Sequence, residues 1–296
     1  MKIIPLNDLP FLKEIGALAA SLGVRIYAVG GCVRDWQMGV RSSDIDFLLD
    51  GDAAPLAGAL VNKYGGSFTR FDKFLTARAF LADGRRVDLA RFRKEIYPGP
   101  AALPEVSPAA SAAEDLQRRD FSMNAMAVAV LPDSFGLLED PFGGLSAIKD
   151  RRVRVLHPAS FTDDPTRIFR AARFAGRFGW ELDEDTAALA LKCVREDGPA
   201  LLSRERVRNE FFKLLEERDP AAAFSLLRKM DACRFFSRDF VWPEGAAELS
   251  GAMPRLSAVA AAMGRSAEPF LENLRLPNKT VASIKRTVAS VYGKHL

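Results

Sequence analysis

The spacing of apolar residues divides the chain into two parts. Up to about residue 90, short runs rich in apolar residues alternate with helical stretches, and the predicted strands are 25–29, 45–49, 67–71, 75–81 and 86–90. Beyond residue 160 the spacing is helical, and Pro and Gly breaks separate predicted helices at 164–178, 184–195, 203–216, 220–231, 246–263 and 279–292. The pattern predicts an α+β fold, with a mixed β-sheet flanked by helices at the N-terminal side and an all-helical remainder.

Residues 91–117 join the two parts and differ from both. They contain Pro98, Gly99, Pro100, Pro104 and Pro108, and an Ala/Ser-rich run follows. This composition predicts one long loop. Loops of that length in compact domains are usually functional or disordered.

Charge becomes informative where it is clustered. The 296 residues carry 42 Lys+Arg against 38 Asp+Glu, a net charge of +4. Seven arginines lie within 151–177 beside only two acids, and after Glu272 the chain has five bases and no acid. Four of these last bases could pair with the phosphates of a polyanion: Arg275, Lys279, Lys285 and Arg286. A polyanionic partner fits both clusters, and a solvated helix face is the alternative for each.

The remaining composition excludes several classes of protein. Three scattered cysteines do not make a disulfide framework and indicate a reducing compartment, while two histidines give little support to a zinc site or a Ser-His-Asp triad. No signal peptide or membrane-spanning run is visible. We therefore expect a cytoplasmic protein with no membrane association and no obligate protein partner.

A first motif near the N-terminus combines glycines with carboxylates. Gly30 and Gly31 follow a predicted strand, Arg34 comes one helical turn later, and the next strand carries Asp44 and Asp46. Residues i and i+2 of a strand share a face, so the two carboxylates point the same way and suit a divalent metal. Both glycines allow positive φ and the approach of a phosphate, which Arg34 would clamp. Phosphate, metal and carboxylates together indicate nucleotidyl transfer.

This order and spacing resembles the first motif of the DNA polymerase beta superfamily, in the branch of class II tRNA nucleotidyltransferases (CCA-adding enzymes) and bacterial poly(A) polymerases. The resemblance implies a polymerase-beta-like head at 1–150, a helical neck at 151–218 and a helical body and short tail for tRNA binding at 219–296. It also implies two Mg²⁺ ions at Asp44 and Asp46. Asp88, in a third β-type run, would be the third metal carboxylate of the superfamily pattern.

Two further motifs follow the predicted loop. Residues 118–125 resemble the family's Arg-Arg-Asp-Phe-Thr-x-Asn-Ala motif, with Ser122 in place of Thr. In the family this group contacts the ribose and phosphates of the nucleotide, and by resemblance Arg119 and Asp120 do so here. Residues 140–144 resemble the family's third motif, for which we favour a mechanical role as a hinge.

A fourth motif places arginines on one side of a helix. At about 100° per residue, Arg167, Arg170, Arg173 and Arg177 fall within about a third of the circumference. Asp164 precedes Pro165 as a helix cap would, and Asp164 and Arg167 could form a local ion pair; neither interpretation explains the whole stripe.

The same run resembles the family's Glu-Asp-x-x-Arg motif, in which Asp and Arg bind the base edge of the incoming nucleotide in place of a template. By resemblance Asp164 and Arg167 read the base, and Arg170 and Arg173 reach the triphosphate. Asp163 stands where the family has Glu, which affects the positioning of the arginine. A fifth motif, 203–215, resembles the helix that braces the fourth, and we assign it no catalytic residue.

Three activities occur in this branch. The Gly-Arg-Arg-Phe signature typical of bacterial poly(A) polymerases is not present between the first two motifs. Enzymes that add only two cytidines have a shortened loop, whereas 91–117 is of full length. The prediction is therefore CCA addition to tRNA from CTP and ATP, with addition of the terminal A alone as the alternative and poly(A) synthesis less favoured.

Overall fold

The computed structural model describes residues 4–5, 8–42 and 44–293. The chain divides into two compact units. The first comprises Met1–Pro98 and Leu103–Leu156, and the second comprises Gly99–Ala102 and His157–Leu296. The division into head, neck and body stays a prediction at the boundaries given above.

The first unit is built on a seven-stranded mixed sheet whose strand order is β3-β4-β5-β2-β1-β8-β9. Its strands are β1 Ile26–Val29, β2 Ile45–Leu49, β3 Gly66–Phe71, β4 Thr76–Leu81, β5 Arg86–Arg91, β8 Ala127–Ala129 and β9 Leu138–Glu139. The other strands of the unit are β6 Arg93–Ile96, β7 Glu105–Pro108 and β10 Arg152–Val153. Within the sheet β2 runs parallel to β5 and antiparallel to β1. The α+β prediction is confirmed, and the five predicted strands form with ends shifted by at most one residue.

Helices pack on both faces of this sheet. One face is covered by α1 Leu9–Ser21, α2 Gly31–Gln37, α3 Ala53–Tyr64 and α5 Gly144–Lys149, and α4 Ala112–Gln117 packs against the other face beside Leu48 of β2. Leu12 and Ile15 of α1, Leu56 and Leu60 of α3, and Phe47 of β2 are fully buried in one cluster. Because alternate strand residues point to opposite faces, burying Phe47 under helices directs Asp46 to the other face.

The prediction of one long loop over 91–117 is wrong. β6 pairs with β7 as an antiparallel hairpin, in register from Arg93 opposite Pro108 to Ile96 opposite Glu105. Helix α4 follows, and the Ser111 hydroxyl accepts the N–H of Glu114 as its N-terminal cap. The prolines and Gly99 mark the connection between two short polar strands, not an unstructured segment.

The second unit is predominantly helical, as predicted. Its helices are α6 Ser160–Asp163, α7 Thr166–Phe178, α8 Glu184–Arg195, α9 Arg204–Leu215, α10 Ala221–Lys229, α11 Ala252–Met263, α12 Ala267–Asn273 and α13 Asn278–Tyr292, and β11 is Glu181–Leu182. Helices α6 and α12 were not predicted. Where α7 meets α10, a side chain at Gly176 would lie 2.8 Å from the backbone nitrogen of Ala223, so the two helices approach closely only because this residue is glycine.

Aromatic side chains form the centre of this unit. Phe211 of α9 lies with its ring centroid 4.9 Å from that of Phe236 and 5.6 Å from that of Phe270. Phe224 stacks on Trp242 at 4.4 Å. Large buried rings contribute much of the apolar area of a small helical core. The contacts between these rings fix how α9, α10 and α12 pack. Across the described residues, no helix has the length and apolarity needed to cross a membrane.

Candidate active site

Asp46 and Asp88 share the face of the sheet on which α4 packs, and Asp44 lies just before β2. Asp44 and Asp46 lie two residues apart at the start of β2, and Asp46 is directly opposite Asp88 on the parallel strand β5. Arg86 lies 3.5 Å from a carboxylate oxygen of Asp44 and 3.2 Å from one of Asp88. Arg78 donates to the other oxygen of Asp88 at 2.5 Å. The structure thus places Asp46 beside Asp88, which has two arginine partners. Asp44 is linked to Asp88 through Arg86 but lines a separate cavity.

The environment of Asp46 favours a cation. Burial raises the pKa of its carboxyl, although the side chain reaches solvent, and the charge of Asp88 raises it further against the opposing attraction of Arg119 and Arg86. Carboxylate oxygens are also the ligands that Mg²⁺ prefers. In the part of the chain that is described, no group of three or more His, Cys, Asp or Glu side chains is placed as a metal cage. Asp44 and Asp46 fit a divalent cation, and Asp88 is held instead by arginines.

The glycine turn brings an arginine close to the carboxylates. Gly30 has φ +75° and ψ −128°, and a side chain there would lie 2.7 Å from Nη1 of Arg119. Glycine is thus required both for the backbone angle and for the approach of this guanidinium. Of the two glycines, which both allow positive φ, only Gly30 adopts it, because Gly31 is the first residue of α2.

Arg34 links the first motif to the second. It is buried, its Nη1 donates to Oδ1 of Asn124 at 2.7 Å, and its Nη2 donates to Asp35 at 2.7 Å. Asn124 in turn donates to Oδ1 of Asp120 at 3.0 Å. This chain of hydrogen bonds orients Asp120, which is also buried. The predicted phosphate contact of Arg34 stays a prediction.

A cleft of about 300 Å³ connects the carboxylates with a group of arginines. Its lining includes the carboxylates Asp46 and Asp88 and the arginines Arg78, Arg93, Arg118 and Arg119. The sequence predicts Arg119 as a site residue but neither Arg93 nor Asp115. The buried carboxylate of Asp115 accepts hydrogen bonds from Arg93, Arg118 and Arg119. An acid amid charged neighbours at a helix start resembles a solvated residue, so no sequence signal indicates that Asp115 is buried.

In the second unit, Asp164 is fixed from two directions. Its Oδ1 accepts the N–H of Thr166 at 3.0 Å and the guanidinium of Arg206 on α9 at 2.7 Å. The first bond is the predicted helix cap, although the helix is assigned from Thr166 with Pro165 as the capping residue. Arg206 was not predicted and shows one way in which α9 braces this motif.

The arginines of α7 are not a uniform solvated face. Arg167 and Arg173 are buried, at 4% and 8% exposure. Nη1 of Arg167 donates to the hydroxyl of Ser160 at 2.5 Å, and Nη1 of Arg173 donates to Glu217 at 3.1 Å. The alternative of a solvated stripe therefore fails for these two residues.

Arg170 and Asp163, which also belong to the fourth motif, contact different groups. The Arg170 guanidinium lies 5.7 Å from the centroid of the Phe174 ring. Asp163, which replaces the family's Glu, lies 4.0 Å from Nδ1 of His157. Burial lowers the pKa of His157, and the charge of Arg167 lowers it further.

The predicted RNA-binding bases lie at the C-terminal helices. Arg275, Lys279 and Arg286 are exposed, whereas Lys285 donates to Glu268 at 2.5 Å. Lys294, the fifth base of this stretch, lies outside the described residues.

Comparison with known proteins agrees with this geometry. The Poly A polymerase head domain family matches residues 26–154, and the family described as Probable RNA and SrmB- binding site of polymerase A matches residues 181–240. An A-adding tRNA nucleotidyltransferase of Halalkalibacterium halodurans is 39% identical over 227 residues, which are 76% of this chain and 53% of the relative. A CC-adding enzyme of Deinococcus radiodurans is 40% identical over 171 residues, 58% of this chain and 45% of the relative.

A solved structure extends the likeness to nearly the whole chain. The CCA-adding enzyme in its apo form II has a TM-score of 0.85 and 30% identity, covering 99% of this chain and 73% of that one. The fold is that of the nucleotidyltransferases with a polymerase-type head. Within that class the chain belongs to the family of class II tRNA nucleotidyltransferases and bacterial poly(A) polymerases. It spans about half the length of the A-adding relative.

Proposed function

We propose that this protein adds the terminal adenosine to the 3′ end of tRNA that already ends in CC, with ATP as the donor. The observation that carries nucleotidyl transfer is the pairing of Asp46 with Asp88 in a cleft shared with Arg119. Addition of A is favoured over addition of CC because three A-adding relatives are 37%, 39% and 41% identical over 75–80% of the chain, whereas the CC-adding relative that matches 99% of it is 30% identical.

The reaction is an attack of the RNA 3′-hydroxyl on the α-phosphorus of ATP. A bond forms between the 3′-oxygen and phosphorus, the bond from phosphorus to the β-phosphate oxygen breaks, and pyrophosphate leaves. Asp44 and Asp46 would hold divalent cations, two Mg²⁺ by family resemblance, which lower the pKa of the hydroxyl and neutralise the leaving group. Arg119 places a guanidinium where negative charge accumulates, and Asp120, oriented by Asn124, is suited to accept a hydrogen bond from the ribose.

Selection of the base would depend on Asp164 and Arg167. A carboxylate acceptor and a guanidinium donor side by side complement the edge of adenine. The bonds from Thr166 and Arg206 fix the orientation of Asp164, and Ser160 fixes Arg167, so the pair is positioned before a nucleotide arrives. Such preorganisation supports selection without a nucleic-acid template.

Full CCA addition is the second candidate. The structural likeness to a CCA-adding enzyme and the full-length segment 91–117, folded as a hairpin and α4, both favour it. Poly(A) synthesis has less support, because the stretch between the first two motifs lacks its signature.

Primer tRNAs with different ends separate these activities. The protein is incubated with Mg²⁺ and labelled CTP or ATP, and with tRNA ending at the discriminator base, at C or at CC. We expect ATP to extend the CC form and CTP to extend none. Incorporation of CTP into the shorter primers would establish CCA addition instead, and long A tails on unrelated RNA would establish poly(A) synthesis.

A variant of the carboxylate pair serves as the control for this assay. Asp46→Asn keeps the shape of the side chain and removes its charge, and we expect the initial rate to fall by about a thousandfold or more. Circular dichroism and the melting temperature should show an intact fold, since the substitution also removes repulsion from Asp88. Full activity of this variant would contradict the assignment of the site.

A further inference from the structure

An exposed aromatic ring lines the cleft that contains Asp46 and Asp88. Two phenylalanines belong to the lining of this cleft, Phe47 and Phe71. Phe47 is 1% exposed and packs in the core under the helices. Phe71, the last residue of β3, is 40% exposed. The ring of Phe71 therefore offers a ligand in the cleft an aromatic surface that Phe47 does not.

The strand register places Phe71 on the same face as the carboxylates. Phe71 is opposite Thr76 of β4, and two residues later Arg78 is opposite Asp88 of β5. Directly opposite residues share a face of the sheet, and so do residues i and i+2 of one strand. Asp88 is in turn opposite Asp46. Three strand spacings, about 14 Å, separate the backbones of β2 and β3.

Exposure alone does not indicate a binding role, because single apolar side chains are common on protein surfaces. Phe68 of the same strand is 41% exposed, yet it is opposite Ala79, which is buried on the helix-covered side. A side chain at Gly58 of α3 would lie 3.8 Å from the ring of Phe68. Phe68 and Phe71 are thus equally exposed and lie on opposite faces, and Phe71 differs by its position in the cleft.

The proposed reaction brings two nucleotides together at this cleft. The incoming base would be read by Asp164 and Arg167, which leaves the base of the last RNA nucleotide to be held by another group. The 3′-hydroxyl of that nucleotide must reach the cations that Asp44 and Asp46 would hold, so its base lies within one nucleotide of them. Aromatic side chains bind single-stranded bases by stacking, and they tolerate any base because every base has a π-face.

We propose that the ring of Phe71 stacks on the base of the last nucleotide of the RNA and so positions its 3′-hydroxyl for attack. This assignment rests on the proposed nucleotidyl transfer. Because stacking tolerates any base, the same ring serves a tRNA that ends at the discriminator base, at C or at CC. Phe71 binds the RNA and not the incoming ATP, so its removal affects the two substrates differently.

A double-mutant cycle tests the contact between the ring and the terminal base. On the RNA side, tRNA ending in CC is compared with the same tRNA whose last nucleotide lacks its base. The protein variants are Phe71→Ala, Phe71→Trp and the matched control Phe68→Ala, which removes an equally exposed ring from the opposite face. We measure the dissociation constant of each tRNA without ATP, KM for tRNA and for ATP, kcat and the melting temperature.

Phe71→Ala should weaken binding of the CC form and raise KM for tRNA by about tenfold, the effect of losing one stack between a base and an aromatic ring. Removal of the terminal base should weaken binding to the native protein by a similar factor, but to Phe71→Ala by less than about twofold, because its partner is already missing. Phe71→Trp should keep the native affinity. KM for ATP should not change, and Phe68→Ala should match the native protein. A merely structural role of Phe71 would instead lower the melting temperature or raise both KM values.

Additive losses from Phe71→Ala and from removal of the terminal base would overturn the proposal, as would equal effects of Phe68→Ala and Phe71→Ala. If neither variant changes RNA affinity and both shift a dimer to a monomer in light scattering, the exposed rings serve association of two copies instead. A native protein that shows the coupling between Phe71 and the terminal base but incorporates no nucleotide would contradict the proposed function and leave the RNA contact intact.

Discussion

At the scale of single residues, the candidate site depends on side chains that can approach one another for two reasons. A neighbouring residue is a glycine, or a hydrogen bond fixes the position of a side chain. Gly30 leaves room for Arg119, and Asn124 holds Asp120 and Arg34 together. The approach of Arg119 to Gly30 and the bond from Arg34 to Asn124 join the first motif to the second, which lies about ninety residues later. The predicted nucleotide-binding residues of these two motifs therefore form one constellation rather than two separate groups.

Gly30→Ala tests this constellation. A methyl group would lie 2.7 Å from Nη1 of Arg119, so the end of a flexible side chain must move away from the cleft. We expect KM for ATP to rise by about tenfold or more, as for removal of one charge-assisted hydrogen bond. The positive φ also costs about 1–2 kcal/mol of stability.

Gly39→Ala is the matched control for the backbone cost. Gly39 has φ +72°, close to the +75° of Gly30, and a side chain there has open space around it. It should lose stability without a change in KM for ATP. Equal KM values for the two variants would show that the approach of Arg119 to Gly30 is unimportant for nucleotide binding.

At the scale of elements, α7 is anchored by a buried ion pair. The side chain of Glu217 is 7% exposed, and it binds Arg173 at 3.1 Å and the Nε of Arg177 at 2.8 Å. A helix that carries Asp164 and Arg167 at its first turn is thus held near its last turn by a residue beyond α9. Removal of this anchor would leave Arg173 buried and without its carboxylate partner.

Glu217→Gln should therefore destabilise the protein by about 3 kcal/mol, because one member of a buried ion pair is removed. Denaturant unfolding measures this change. Glu216→Gln removes the charge of the adjacent exposed residue and should change stability by about 0.5 kcal/mol or less. If the two variants are equally stable, the interaction of Arg173 with Glu217 contributes little to the anchoring of α7.

The elements also show what the sequence could and could not predict. The five strands of the sheet were found because their apolar residues are consecutive or alternate, as burial on a sheet requires. The hairpin of β6 and β7 was missed because its strands are polar and bury little, so Pro98 and Gly99 were the dominant signals. Asp44 and Asp46 followed from strand geometry, whereas the burial of Asp115 depends on Arg118 and on Glu95, twenty residues earlier.

At the scale of the whole molecule, net charge is small and its distribution matters. The excess of four positive charges is minor for 296 residues. Yet no acid follows Glu272, and the structure leaves three of the bases beyond it exposed on or before α13. The family matched over residues 181–240 is described as a probable RNA-binding site, and the exposed bases lie beyond this range in the same unit.

Replacing Arg275, Lys279 or Arg286 by Ala should weaken tRNA binding, because each substitution removes a cation that can pair with a backbone phosphate. For each phosphate interaction removed, the slope of log affinity against log salt should fall by about 0.7–0.9, and KM for ATP should not change. Titration of tRNA at several salt concentrations measures the slope. Lys285→Ala should have a smaller effect, because its ammonium group already pairs with Glu268.

Lys63→Ala is the control for a general reduction of charge, since this exposed lysine lies on α3 in the first unit and pairs with Glu14 at 3.4 Å. Long-range attraction alone would make Lys63 and Arg286 equivalent, because each substitution removes one positive charge. If Arg286 contacts RNA directly, the slope of log affinity against log salt falls for Arg286→Ala and stays unchanged for Lys63→Ala. Equal slopes for all variants would mean that tRNA binds elsewhere on the molecule.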